Sequence, residues 1–138
     1  MGTRSTIALE FADGTVEQVY CHWAGYLSNN GQILAQHYMD PFKVKELVAL
    51  GGFSSLDPTV EGTAVTAYTQ RGEDIRIDKF KDYEDYVKNH QYEEYDYILR
   101  NIDGKATWFV CDHDGAYVEL AQAIMDEQDS IAQEETAE

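Results

Sequence analysis

Apolar and polar residues alternate along the first part of the chain, which is the period-two pattern of a β-strand. Ile7, Leu9 and Phe11 fall on one face of this first strand. Asp13-Gly14 follows, and this dipeptide is a strong signal for a tight turn between two strands. Alternation then resumes over residues 15–23. The pattern therefore predicts an N-terminal β-hairpin.

The spacing of apolar residues changes to a helical period in the next part of the chain. One short helix is predicted over residues 31–38, and Asp40-Pro41 is a typical start for a second one. Gly51-Gly52 is expected to end that second helix. A short β-branched and aromatic segment over residues 63–69 predicts a strand, and the spacing over residues 79–89 predicts a third helix.

A second hairpin is predicted in the C-terminal half. Its strands cover residues 92–100 and 106–111, and Asp103-Gly104 forms the turn between them. A last helix is expected to begin at Tyr117. From residue 126 onward the chain carries six acids and no base, so we expect a frayed acidic tail over residues 126–138.

These elements predict a single α+β domain over residues 1–125. Their order is ββααβαββα. Two hairpins and one further strand indicate a mostly antiparallel sheet of about five strands with helices packed on one face.

Composition supports a globular domain. The chain has 138 residues, of which 43% are hydrophobic. It has neither an apolar window long enough for a membrane span nor the apolar core of a signal peptide, so we expect a cytoplasmic protein. Cys21 and Cys111 both fall in apolar strand patterns and are expected to be buried thiols.

Charge is distributed unevenly. The formal net charge is −16. Residues 1–72 hold seven acids and four bases, a net of −3, whereas residues 73–138 hold nineteen acids and six bases, a net of −13. Such a field repels nucleic acids and anionic membranes and attracts basic protein surfaces.

Several segments together indicate a family. The chain opens GTRSTI and then carries YCHWAGY, KVKELVALGGFSSL and RGED. It resembles a family of small phage and prophage proteins that carry GTRSTI, YCHWDGY, LIALGDISSL and RGED segments. The matched positions include Tyr20, Cys21, His22, Trp23, Gly25, Tyr26, Gly31, Ser54, Ser55, Arg71, Gly72 and Glu73. Ala24 departs from the pattern, which has aspartate there, and the departure lowers our expectation of catalysis.

The first candidate site is for a small ligand. His22 could act as an acid or base, and Trp23 and Tyr26 could stack on a ring. Arg71 and Glu73 lie in a polar turn, where an arginine suits a carboxylate or phosphate. This interpretation requires His22 and Arg71 to lie on the same side of the sheet.

The second candidate site is a protein interface in the acidic half. Carboxylates and tyrosines alternate there, and tyrosine is enriched at protein interfaces. The residues are Asp82, Glu84, Asp85, Glu93, Glu94, Asp96, Tyr83, Tyr86 and Tyr95.

No catalytic, nucleotide-loop or zinc motif occurs in the sequence, which favours a binding protein over an enzyme and predicts neither a cofactor nor a metal. Asp112-His113-Asp114 would suit a cation only with ligands from elsewhere.

The leading hypothesis is a phage accessory protein that inhibits a host or defence protein by covering a basic, nucleic-acid-binding surface as a DNA mimic. The alternative is a small-molecule or nucleotide-binding protein, or a minor enzyme, with a pocket around His22, Trp23, Tyr26 and Arg71. Neither the oligomeric state nor the partner follows from the sequence.

Overall fold

The computed structural model describes residues 3–111 and 116–136, and these form an α+β fold around a mixed sheet, as the sequence predicts for the class. Within the described residues the strands are β1 Ser5–Glu10, β2 Val16–Cys21, β3 Asp78–Phe80, β4 Tyr95–Ile102, β5 Lys105–Cys111 and β6 Tyr117–Glu119. The helices are α1 Gln32–His37, α2 Pro41–Ala49, α3 Val60–Ala64, α4 Tyr83–Asn89 and α5 Leu120–Thr136. A π-helical turn, Leu27–Gly31, precedes α1, and a 3-10 turn, Tyr68–Arg71, follows α3.

Both predicted hairpins are present. β1 pairs antiparallel with β2, and β4 pairs antiparallel with β5. In the second hairpin Asp103 has φ 53° and Gly104 has φ 83°. Two successive positive φ values define the type I′ turn that matches the twist of two-residue hairpins. The Asp-Gly dipeptide therefore sets this register.

The sheet order differs from the prediction. Within the described residues it has six strands in the order β3-β2-β1-β4-β5-β6. The hairpins meet at β1 and β4, which run parallel, with Thr6 opposite Asp96. A parallel pair needs a long crossover connection, and here the segment containing α1 to α4 provides it.

The predicted strand over residues 63–69 is wrong. The end of α3, a turn and the start of the 3-10 turn lie there instead, and only Ala67 forms an isolated bridge, to Phe53. Threonine side chains satisfy the backbone of α3: Thr59 Oγ1 accepts from Gly62 N at 3.0 Å, and Thr63 Oγ1 donates to Thr59 O at 2.9 Å. Such capping overrides β propensity in a short segment. The additional strands are β3, at the start of the predicted helix over 79–89, and β6, at the start of the predicted helix from Tyr117.

One face of the sheet carries the main core. Ile7 and Leu9 from β1, with Tyr97 and Leu99 from β4, pack against buried residues of α1, α2 and α5. Trp108 Nε1 donates to Tyr38 O at 2.9 Å, so that indole satisfies its polar atom inside the core.

The other face is also covered in part, so the prediction of helices on one face only is wrong. Helix α4 packs there through Tyr86, which is buried against Ala8, Val16 and Ile98. The apolar spacing in α4 does not say which face of the sheet it covers. Because α4 is only seven residues long, the neighbouring part of this face stays open to a cavity.

Helix α5 continues to Thr136, through the segment that was expected to fray. The division into a domain and a tail stays a prediction. No helix within residues 3–111 and 116–136 combines the length and apolar character needed to cross a membrane.

Candidate ligand-binding site

A cavity of about 660 Å³ lies on the second face of the sheet, beside α4. This volume falls within the range of small-molecule sites, roughly 300–1,000 Å³. Strands β1 and β2 form its floor, and the segment from Tyr68 to Asp78 forms one wall. That segment follows α3 in the chain and continues into β3, which pairs with β2.

The floor consists of polar side chains on central strands. Thr6, Gln18 and Tyr20 line the cavity from β1 and β2. Gln18 is only 2% exposed, and its Oε1 atom is buried without a hydrogen-bond partner among the described residues. A buried acceptor without a donor costs about 1–3 kcal/mol. The Oε1 atom therefore lies unsatisfied within the sheet, beneath the floor of the cavity and out of reach of solvent.

Arginines concentrate at this cavity. The chain has four arginines, and three of them, Arg4, Arg71 and Arg76, line it. Among the described residues, Arg71 pairs with Glu73, with Nε 3.5 Å from Oε2, whereas Arg4 and Arg76 form no ion pair. Two guanidinium groups are thus available for an anionic group.

Carboxylates also line the cavity, namely Glu73, Asp74, Asp78 and Glu93. Within the described residues no three His, Cys, Asp or Glu side chains are placed to hold a metal ion. The carboxylates can instead accept hydrogen bonds from hydroxyl or amino groups. The cavity is therefore suited to a ligand that is anionic at one part and rich in donors at another.

Stacked aromatic rings form the wall next to the arginines. Tyr20 and Tyr68 stack with centroids 6.5 Å apart, and the Arg71 guanidinium lies 4.8 Å from the Tyr68 centroid. A Cβ atom at Gly52 would lie 2.9 Å from Tyr68 Cδ2. Glycine at position 52 therefore lets this ring lie against the backbone.

Two titratable groups are buried close to the cavity. Asp96 is 1% exposed, accepts from Thr6 Oγ1 at 2.6 Å, and burial raises its pKa to about 7. Burial lowers the pKa of His90 to about 4. Its Nδ1 lies 2.9 Å from Gln91 O and its Nε2 2.8 Å from the Tyr117 hydroxyl. Hence at pH 5 to 6 the folded protein holds a proton on Asp96 and none on His90, the reverse of the unfolded chain.

The residues predicted for a small ligand do not all meet at this cavity. Arg71 and Glu73 line it. His22 does not, but its Nδ1 lies 2.7 Å from the Tyr20 hydroxyl, so His22 and Arg71 share one side of the sheet. Trp23, 45% exposed, packs edge-on against His22 at 4.6 Å, and Tyr26, 43% exposed, lies away from the cavity lining.

Many of the residues predicted for a protein interface make contacts within the domain. Asp82 accepts from Asp85 N at 2.8 Å and Asp85 accepts from Asn89 at 2.6 Å, so both are bound locally on α4. Asp96 and Tyr86 are buried.

The other residues predicted for a protein interface lie in different parts of the structure. Tyr83 lies 3.6 Å from the Arg100 guanidinium, Tyr95 packs against the main core on the opposite face, and Glu93 lines the cavity. Asp82, Glu84 and Glu94 are exposed. The exposed carboxylates are thus fewer than the sequence alone indicates.

Ala24, where the sequence departs from the phage and prophage family that it resembles, has φ 57°. Aspartate and asparagine tolerate this left-handed conformation better than alanine does. The backbone alone therefore accounts for an aspartate at this position, without a role in catalysis.

Sequence reasoning missed Arg4, Thr6, Gln18, Tyr68 and Arg76 as site residues. Thr6 and Gln18 are polar positions within strands, and such positions look the same in the sequence whether the face is open to solvent or forms a cavity floor. The buried thiols of Cys21 and Cys111 are confirmed. Asp112, His113 and Asp114 lie outside the described residues.

In comparisons with known proteins, no family model, no curated protein and no solved structure matches this chain. The resemblance to the phage and prophage family stays a prediction.

Proposed function

We propose that this protein binds a small anionic molecule in the cavity beside α4, with Arg4, Arg71 and Arg76 as its anion-binding groups. The observation that carries this proposal is the gathering of three of four arginines at one cavity in a chain of net charge −16. Arg4 and Arg76, which form no ion pair with described residues, supply the free guanidinium groups.

The net charge of the chain does not prevent this binding. Interactions between exposed charges are screened beyond about 8 Å at physiological ionic strength, whereas a guanidinium acts on its ligand at contact distance. Charge-assisted hydrogen bonds are about twice as strong as neutral ones. The long-range field lowers the rate at which anions arrive, and the arginines hold an anion that has entered.

Calorimetric titration with inorganic pyrophosphate and with AMP tests the proposal. Replacing Arg4 or Arg76 by glutamine should weaken binding on the order of tenfold, since one charge-assisted contact is lost. Lys105→Gln is the matched control, because Lys105 is an exposed cation outside the cavity. Failure of both probes to bind, or equal losses in the control and the arginine variants, would refute the proposal.

The acidic inhibitor of a basic protein surface stays a second prediction. Asp82, Glu84 and Glu94 are exposed and support it, whereas Asp85 and Glu93 are half-buried and Asp96 is buried. Pull-down from host lysate at low and high salt checks it. Capture that does not depend on salt would contradict it.

A further inference from the structure

We infer that the ligand of this cavity is zwitterionic, with an ammonium group in addition to its anionic group, an inference that rests on the proposed function. The cavity presents charged side chains of both signs, so an anion alone meets only part of its lining. A ligand that satisfies the whole lining has a negative end for the arginines and a positive end for the carboxylates.

The carboxylates of the lining outnumber the arginines. Three arginines and four carboxylates line the cavity, and Arg71 and Glu73 pair with each other, with Nε 3.5 Å from Oε2. Arg4 and Arg76 remain, together with three carboxylates that form no ion pair in the part of the chain that the structure describes. These three are Asp74, Asp78 and Glu93. A ligand of negative charge alone would leave all three without a cationic partner.

Opposite charges alternate along one wall of the cavity. Asp74, Arg76 and Asp78 occupy every second position of the chain, and all three line the cavity. Residues two positions apart are separated by at most about 7 Å, so an anion in contact with Arg76 lies close to a carboxylate. Like charges brought together oppose binding, and a cationic group on the ligand removes this repulsion.

The same mixture of charges occurs near Tyr20, on the floor. Burial raises the pKa of Tyr20, the Arg4 guanidinium lowers it, and the Glu93 carboxylate raises it. A positive and a negative side chain thus act on one hydroxyl group. A small molecule that reaches Arg4 is therefore also near Glu93.

Two of the carboxylates are carried by backbone that is fixed to the sheet. Asp78 lies opposite Gln18 in the pairing of β3 with β2, and residues directly opposite each other project from the same face. The backbone N–H of Glu93 lies 3.2 Å from both carboxylate oxygens of Asp96. These positions are therefore set before a ligand arrives, which lowers the entropic cost of binding.

The aromatic wall suits the part of the ligand that joins the two charged ends. Tyr20 and Tyr68 stack with centroids 6.5 Å apart, and the Tyr20 hydroxyl lies 2.7 Å from His22 Nδ1. Tyrosine rings combine apolar area with a polar tip. An aliphatic or aromatic linker can pack on this surface while its ends contact the charged groups.

Calorimetric titration of two isosteric pairs tests the inference. Phosphoethanolamine is compared with propyl phosphate, and tyramine phosphate with 4-propylphenyl phosphate; in each pair a methyl group replaces the ammonium group. We expect the ammonium-bearing member of at least one pair to bind tenfold or more tightly than its isostere, since it gains charge-assisted hydrogen bonds. 1,3-Diaminopropane, which has no anionic group, should bind at least tenfold more weakly than that ligand.

Variants of the carboxylates locate the contact. Asp78→Asn or Glu93→Gln should reduce the preference for the ammonium-bearing ligand at least fivefold, and binding of its isostere should be unchanged or tighter, which also shows that the cavity is folded. Glu94→Gln is the matched control, because Glu94 is exposed and adjacent to Glu93 but does not line the cavity. This variant should keep the preference.

The outcomes separate the two proposals. If binding of pyrophosphate or AMP depends on Arg4 and Arg76 but neither ammonium-bearing ligand exceeds its isostere, the zwitterion inference is overturned and the anion-binding function stands. A preference that survives in both carboxylate variants, or 1,3-diaminopropane binding as tightly as the preferred ligand, also overturns the inference. If neither pyrophosphate nor AMP binds in an arginine-dependent way, both proposals fall.

Discussion

Replacing Gln18 with leucine should make the protein more stable, although Gln18 lies on a central strand of the sheet. The side chain is 2% exposed and its Oε1 has no partner among the described residues. An unpaired buried acceptor costs about 1–3 kcal/mol, and leucine has a similar volume without that cost. We therefore expect the free energy of unfolding to rise by about 1–3 kcal/mol, or on the order of 4 °C in Tm for each kcal/mol in a domain of this size.

Urea denaturation followed by circular dichroism measures this change, and thermal unfolding checks it independently. Gln36→Leu is the matched control, since Gln36 is exposed on α1, and its effect should stay within about 0.5 kcal/mol. A fall in stability, or no change, for Gln18→Leu would refute the reasoning, because it would mean that Oε1 is satisfied in the folded protein. A rise in stability would show that glutamine is kept at position 18 at a cost to folding.

Three further predictions concern the backbone and the buried titratable groups. The raised pKa of Asp96 lowers stability as pH rises from about 4 to 7, whereas the lowered pKa of His90 raises stability from pH 4 to 6.5. In denaturation experiments across this range, the free energy of unfolding should therefore rise with pH in Asp96→Asn and fall with pH in His90→Phe. Each slope should differ from that of the wild type by up to about 1.4 kcal/mol per pH unit, and slopes equal to that of the wild type would contradict the prediction. Ala24→Gly should raise the free energy of unfolding by about 0.5–1 kcal/mol, because φ is 57° there, whereas the control Ala121→Gly in α5 should lower it. Asp40→Ala should cost about 1 kcal/mol in chemical denaturation, because Asp40 caps α2 by accepting from Phe42 N at 2.9 Å, and Asp40→Asn should cost little.

The local parts of the fold follow from the sequence. Each Asp-Gly turn predicts its hairpin, because few residues other than glycine and aspartate or asparagine adopt positive φ readily. Asp40-Pro41 likewise predicts the start of α2, and the structure confirms the cap through the Asp40 carboxylate. These signals are local because the interactions that produce them span only a few residues.

The contacts between distant parts of the chain do not follow from the sequence. No local pattern says that β1 pairs in parallel with β4, since strands bring no partner preference that a single sequence shows. The cavity is lined by residues of β1 and β2, by the segment from Tyr68 to Asp78, and by Gln91 and Glu93, which precede β4. RGED indicates a polar turn with an arginine, but not that Arg71 would share a cavity with Arg4 and Arg76.

The parallel pairing of β1 with β4 also bears on how the chain folds. Each hairpin can form from nearby residues, but Thr6 and Asp96 lie 90 positions apart, and closing a loop of that length costs about 4 kcal/mol in chain entropy. Contacts of this range slow folding, so the two hairpins are expected to exist before they join. The cavity floor combines β1 with β2, but Asp96, which fixes Thr6 in it, arrives only with the second hairpin. A ligand of the cavity would then bind only molecules that have completed this last step, and would slow their unfolding rather than speed their folding.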